Sequence, residues 1–385
     1  MRILFSSRPA FGHLYPMLPL AVAARDAGHD VRFATAPAFA ARIASLGFPV
    51  VGAGISFDEA RAIARGAQSG ALPPRGGDGR PDIEEGARIF FDVLASRSAA
   101  DLLPGLRERA PDLVVYEQGE VGAAVAAGVA GVPAVCHAIS PRAVVDAVAP
   151  LADAHLARLW AVHGLTSPPF DPLLGRVYVD IVPPTLQTPA FLGHPARVAL
   201  RPVPWAEPRA AVPDGLAGRR RPLIYLTLGT VLGTALGLRP AIEGLARLGG
   251  EVVVGLGSAA AAALGDLPPN VEAHGFLDQP AVLRHVDLAV HHGGTGTILG
   301  ALAQGRRQLL LPKGADQFFN ADALAARGMA TVLEPALATA DRIERAAREA
   351  LAAPLPAAAG RARDEIAAMP PPERVLDDLL ERVGA

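Results

Sequence analysis

Short apolar runs, each closed by Gly or Pro and each followed by helical periodicity, recur from one end of this chain to the other. "RILFSS" (2–7) is the first; the amphipathic "GHLYPMLPLAVAARDAG" follows it and leads into "DVRFATA" (30–36). A helix between two buried strands is the crossover that parallel pairing requires. The pattern continues through "PVVGAG", a helical stretch at 83–109, "DLVVYE" (112–117), an Ala-rich helix at 120–130 and "PAVCHAIS" (133–140). A Pro/Arg-rich, weakly periodic stretch at 201–222 interrupts it. The alternation then restarts with "LIYLTLGT" (223–230), "EVVVG" (251–255), "DLAVHH" (287–292) and "QLLLP" (308–312), with helices expected at 238–248, 279–285, 295–304 and 317–327. A Gly/Pro-dense segment at 66–82 reads as a mobile loop.

At 385 residues the chain is too long for one ordinary core. The expected fold is therefore α/β, with two Rossmann-like, doubly wound parallel-sheet domains facing each other. Their expected bounds are 1–205 and 222–370, joined by a linker at 206–221, with an amphipathic helix at 371–385. Ligands of open parallel sheets sit beyond the carboxyl ends of the strands, so the site belongs in the cleft between the two domains.

Other properties narrow the function. The formal net charge is −2, with no long basic run, which argues against a nucleic-acid surface. The single cysteine, Cys136, leaves no internal disulfide framework and no Cys-based zinc site. Nothing approaches the ~20 apolar residues of a membrane span, and the N-terminus lacks the apolar core of a signal peptide, so a soluble cytoplasmic protein is expected. No Asp-x-Asp and no His pair at HExxH spacing occurs, and a metal site is not expected.

The chemistry gathers at strand ends. "DLAVHHGGTGTILGAL" reads as a strand, a Gly-rich turn and a helix start. Free N–H groups at Gly294–Thr297 and the positive helix end suit phosphate oxygens, although a tight βα turn with a threonine cap would need the same residues. A histidine beside that turn can donate a hydrogen bond to a diphosphate; His291 ends the strand, and alternation points its side chain opposite to that of His292. In "LLLPKGADQFFNADAL", Asp316 and Gln317 offer the paired acceptor and donor groups that sugar hydroxyls need; a plain N-cap role for Asp316 is the alternative. His137 and Ser140, at the end of an N-terminal-half strand, are expected to face the cleft and contact an acceptor. Glu120 is expected to be an exposed residue of a helix first turn. Trp160 is expected to pack.

The segment "GFLDQPAVLRHVDLAVHHGGTGTILGALAQGRRQLLLPKGADQFFNADALAARG" (275–328) closely resembles the nucleotide-sugar signature of family 1 glycosyltransferases. "FSSRPAFGHLYPMLPLAVAARDAGHDVRFAT" (5–35) is similar to the opening of that family. "DLVVYEQGEVGAAVAAGVAGVPAV" (112–135) resembles its enediyne- and macrolide-type bacterial members, which decorate antibiotics. The resemblance implies a GT-B fold with an N-terminal acceptor domain, a C-terminal donor domain and a last helix that crosses back. It implies an inverting, metal-independent transferase with no cofactor beyond a dTDP- or UDP-sugar co-substrate. His13 would be the catalytic base, with Glu117 where relatives hold it by an Asp; Glu120 is a second candidate for that acid. His292 would contact the diphosphate, with Gly294, Thr295, Gly296 and Thr297 forming the phosphate turn and Thr230 nearby. Asp316 and Gln317 would read the sugar, and Phe276 would stack on the base. The partners implied are a nucleotide-sugar donor and a small apolar acceptor, with no membrane and no nucleic acid; a homodimer is compatible with the sequence.

One departure points to the donor. Where plant members carry a Glu that binds both ribose hydroxyls of UDP, this chain has Gly300, which fits a dTDP-sugar without excluding UDP. A nucleotide-sugar epimerase of the same fold and a non-catalytic helper of another transferase are the competing readings. "VVVGLGSAA" (252–260) also satisfies a dinucleotide fingerprint, with Glu272 and Asp278 near the expected acid position. That reading leaves HHGGTGT, GADQ and GHLYP unexplained.

Overall fold

The computed structural model describes residues 1–66, 82–165, 171, 173–206, 210–229, 235–257 and 264–384. Thr230 and nearly all of the Gly/Pro-dense segment at 66–82 lie outside the described residues.

Two all-parallel sheets carry the chain. The first is built from β1 (Arg2–Ser6), β2 (Asp30–Thr35), β3 (Val50–Gly52), β4 (Leu113–Glu117), β5 (Ala134–His137), β6 (Val177–Asp180) and β7 (Arg197–Ala199), in the order β3-β2-β1-β4-β5-β6-β7. The second contains β8 (Leu223–Thr227), β9 (Glu251–Gly255), β10 (Val271–His274), β11 (Leu288–His291), β12 (Arg307–Leu310) and β13 (Thr331–Val332), in the order β10-β9-β8-β11-β12-β13. Each order reverses once, between β1 and β4 and between β8 and β11. These are the switch points where helices leave to opposite faces and a crevice opens beyond the strand ends. The cores explain the composition: Leu113, Val114, Val115 and Tyr116 of β4 and Leu288, Ala289 and Val290 of β11 are all buried, as strands covered on both faces must be.

The expected helix at 83–109 forms as three continuous pieces, with a wider π-helical segment at Arg88–Leu94 between Ile83–Ala87 and Ala95–Glu108. Trp160 is buried in the core, as a packing residue should be. The C-terminal part ties the halves together. Glu365 accepts hydrogen bonds from the Thr185 amide (2.8 Å) and hydroxyl (2.6 Å), and the Arg201 guanidinium donates to the carbonyls of Met369 and Ala367 (both 2.9 Å). The last helix, Pro372–Val383, lays Val375, Leu376 and Leu379 on the helix Leu18–Asp26 of the first half. No helix among the described residues is long and apolar enough to cross a membrane.

Candidate functional site

Both switch points bear reactive side chains. After β1 the chain turns into the short helix Phe11–Leu14, which carries His13; Glu117 ends the neighbouring β4. His13 Nδ1 lies 2.9 Å from Glu117 Oε1. Glu117 is fully buried, whereas the His13 side chain is 18% exposed at the cleft. Burial alone would raise the Glu117 carboxyl. His13, the Arg8 charge and the Gly119 N–H (2.6 Å) together more than offset it and hold Glu117 below the ordinary glutamate range. An ionised carboxylate only accepts, so Nδ1 carries the proton and Nε2 keeps its lone pair. The ring is flanked by Phe57 (5.8 Å between centroids) and Phe90 (6.1 Å, stacked), which make an apolar wall beside the base.

Arg8 has no counterpart in the sequence-based expectations. It is 1% exposed, and its guanidinium pairs with Glu120 at 2.8 Å. Glu120 is correspondingly 3% exposed, which overturns its expected place on an open helix turn. An acid at the start of a helix is usually exposed and favoured there by the dipole; here a buried cation from the β1 end draws it inward.

At the second switch point His291 and His292 separate as alternation requires. His291 ends β11, fully buried, with Nε2 2.9 Å from Gln308 Oε1 and Nδ1 accepting from the Gly293 N–H (3.2 Å). Those two bonds fix its tautomer, and burial pushes its pKa down to about 3. His292 is half-buried and lies against two glycines: a Cβ on Gly294 would sit 2.5 Å from its Nε2, and one on Gly229 2.8 Å. Only glycine at both positions leaves room for the ring. Burial, helped by the Lys313 charge, lowers the His292 pKa to about 4, so it is neutral at pH 7. A hydrogen bond to the Thr227 backbone offsets part of that shift.

The helix Thr295–Ala303 starts directly after, with Gly294 as N-cap and no side-chain cap. Thr295 and Thr297 are buried. Thr295 Oγ1 lies 3.4 Å from Asp316 Oδ2 and 3.2 Å from Asn320 Nδ2, and Thr297 Oγ1 accepts from Gln279 (3.2 Å). Gly296 is exposed, with open space where a side chain would stand. Asp316 precedes the helix Gln317–Ala325 but makes no cap hydrogen bond, so the plain N-cap alternative fails. Its carboxylate instead accepts from Asn320 Nδ2 at 3.0 Å, and burial raises it. His13 also acts on the Asp316 charge, so the two switch points converge across the cleft. Ala315, just before it, is the non-glycine residue at positive φ (53°) among the described residues; such strain marks a backbone held to a purpose. Gln317 is buried, and its Oε1 accepts from the Lys313 and Gly314 amides (2.8 and 3.2 Å).

Asn320 was missed by sequence reasoning. Its amide also donates to the Gly293 carbonyl (3.0 Å), pinning the phosphate turn to Asp316; the only signal was its place one helical turn after that aspartate. Phe276 is half-buried and meets Phe11 of the first half edge-on at 5.3 Å. His137 and Ser140 are enclosed, at 0% and 2% exposure, rather than open to the cleft. Gln118 bonds to Ser140 and takes the Tyr178 hydroxyl at 2.9 Å, while His137 keeps Nε2 unpartnered.

The dinucleotide alternative loses its acids. Glu272 is paired with Arg219 and His274, and Asp278 caps the helix Gln279–Leu283 through the Ala281 N–H (2.8 Å). Among the described residues, no three His, Cys, Asp or Glu side chains gather as a metal-ligand set.

Residues 239–382 match the family described as erythromycin biosynthesis protein CIII-like, C-terminal domain. The chain is 34% identical to L-demethylnoviosyl transferase from Streptomyces niveus, over 85% of this chain and 84% of that one. It is 33% identical to the elloramycin glycosyltransferase ElmGT from Streptomyces olivaceus, over 97% and 96%. Its fold is similar to that of the glycosyltransferase VinC solved with dTDP, with a TM-score of 0.78, 28% identity and coverage of 100% and 99%.

Proposed function

This chain belongs to the bacterial antibiotic-pathway glycosyltransferases of GT-B fold, and from that premise we propose that it moves a deoxysugar from a dTDP donor to a hydroxyl of a small apolar natural product, inverting the anomeric carbon. The observation that carries this reading is the His13–Glu117 pair at one switch point facing the His292 turn and Asp316 at the other. The acceptor lies against Phe57 and Phe90. Its hydroxyl gives its proton to His13 Nε2 as its oxygen attacks the anomeric carbon, and Glu117 stabilises the imidazolium that results. The bond from the sugar to the diphosphate breaks on the opposite face. The departing charge meets His292, the N–H groups of Gly294, Thr295 and Gly296 and the positive helix end, without a metal ion; the Thr297 N–H is instead taken by the Gly294 carbonyl (3.1 Å). Asp316 and Gln317 orient the sugar, and Phe276 stacks on the base. No resident cofactor takes part.

Gly300 supports a deoxynucleotide donor. A Cβ there would meet Leu283 Cδ1 at 3.1 Å and Pro204 Cγ at 3.6 Å, so an acidic side chain for a ribose diol has little room. A thermal-shift panel of TDP, UDP, GDP, ADP and NAD tests the donor. Saturation at 100 times Kd adds about 2.7 kcal/mol of stability, and micromolar TDP should produce the largest shift. A response to NAD alone would overturn the reading, and a changed sugar formed from the donor without any acceptor would mean an isomerase.

A further inference from the structure

Behind the base lies a buried charge cluster larger than a histidine–carboxylate pair. Arg8 donates its backbone N–H to Glu117 Oε1 (3.3 Å), the same oxygen that faces His13. Its guanidinium goes elsewhere: to Glu120 (2.8 Å), the Ser98 hydroxyl (3.1 Å), the Gly119 carbonyl (3.2 Å) and the Phe90 carbonyl (3.3 Å). Arg8, Glu117 and Glu120 are at most 3% exposed, so their charges are compensated locally rather than by solvent. One cation and two carboxylates leave one surplus negative charge while His13 is neutral. Protonating His13 completes the balance.

We propose that Arg8 and Glu120 are positioning residues that set the strength of the His13 base: Glu120 compensates the guanidinium that also acts on Glu117, so the Glu117 charge remains for the imidazolium. Without Glu120 the buried arginine would neutralise Glu117, and a protonated His13 would be uncompensated. The inference rests on the reading of His13 as the base. Among the described residues Asp316 from the second half also acts on His13; the flanking Phe57 and Phe90 are uncharged.

The test is an NMR titration of the His13 ring in histidine-labelled full-length protein, assigned by difference from His13→Ala. Glu120→Gln should lower the His13 titration midpoint by about one pH unit, the scale of one nearby charge. The double variant Arg8→Gln/Glu120→Gln removes one charge of each sign and should return the midpoint to the wild-type value. Replacing a buried ion pair by neutral groups is often tolerated, so this variant remains informative if the single one does not fold. An unchanged midpoint in Glu120→Gln, or a double variant as low as the single one, would overturn the proposal. So would failure of both to fold, which would make the cluster purely structural. The titration needs no substrate, so its outcome is separate from that of the base assignment, which fails if His13→Ala still transfers sugar.

Discussion

Replacing Glu117 by glutamine removes one charge and almost no volume from the centre of the site. Glu117 Oε1 faces both the Arg8 N–H (3.3 Å) and His13 Nδ1 (2.9 Å), while Oε2 takes the Gly119 N–H (2.6 Å). A glutamine has one oxygen for these three. With the oxygen toward Gly119, its NH2 opposes the Arg8 N–H and invites His13 to accept at Nδ1, moving the ring proton to Nε2 and disabling the base. With the oxygen toward His13, the NH2 opposes the Gly119 N–H. A charge-assisted hydrogen bond contributes about 1.5–3 kcal/mol, so losing it from the transition state should cost about 10- to 150-fold in kcat/KM, and more where the tautomer flips. The assay is chromatographic measurement of transfer from a TDP-sugar to a panel of aglycones, with TDP affinity measured by calorimetry on the same preparation. TDP binding should be unchanged. The substitution also alters the acid side of stability. A carboxyl held below its unfolded pKa stabilises the fold above that pKa and loses the contribution as pH falls through the folded value, so the variant should lack this part of the acid-side loss. Wild-type turnover in Glu117→Gln, or a drop in TDP affinity that accounts for the lost rate, would refute the reasoning.

Gly294→Ala should weaken TDP binding at least about tenfold (1.4 kcal/mol) in a calorimetric titration. Its φ of −67° suits alanine, but the new Cβ would lie 2.5 Å from His292 Nε2 and must push the ring aside. His137, His291 and His292 are held neutral by burial, with pKa values of about 4, 3 and 4. The unfolded chain therefore binds more protons between those values and about 6.5, and stability should fall as pH drops below 6.5, by up to about 1.4 kcal/mol per pH unit for each histidine. Urea unfolding at pH 7.5, 6.0 and 5.0 checks this, and a flat or rising profile toward acid would contradict it.

The parallel strands were legible because burial on both faces leaves continuous apolar runs, and β9 (Glu251–Gly255) falls where the sequence predicts it. The two histidines of HHGGTGT were separable because side-chain alternation persists to the last strand residue. Arg8 and its pairing with Glu120 were not legible: Arg8 is unremarkable in its own segment, and the pair depends on β1 and β4 lying side by side more than 100 residues apart in sequence. The Phe11–Phe276 contact has the same character, since it exists only once the two halves face each other. Asp316 shows the limit of local rules from the other side. Its position predicts a cap, but Asn320 one turn into the same helix and Thr295 from the facing turn take its carboxylate in place of the helix-end amides.

The central claim is that His13 acts in the chemical step and the His292 turn in donor binding. Comparing sugar transfer and TDP affinity in wild type and His13→Ala separates the two. The account predicts loss of transfer by a factor of at least about 100 with TDP affinity unchanged. Retained transfer, or loss of TDP affinity in step with transfer, would contradict it.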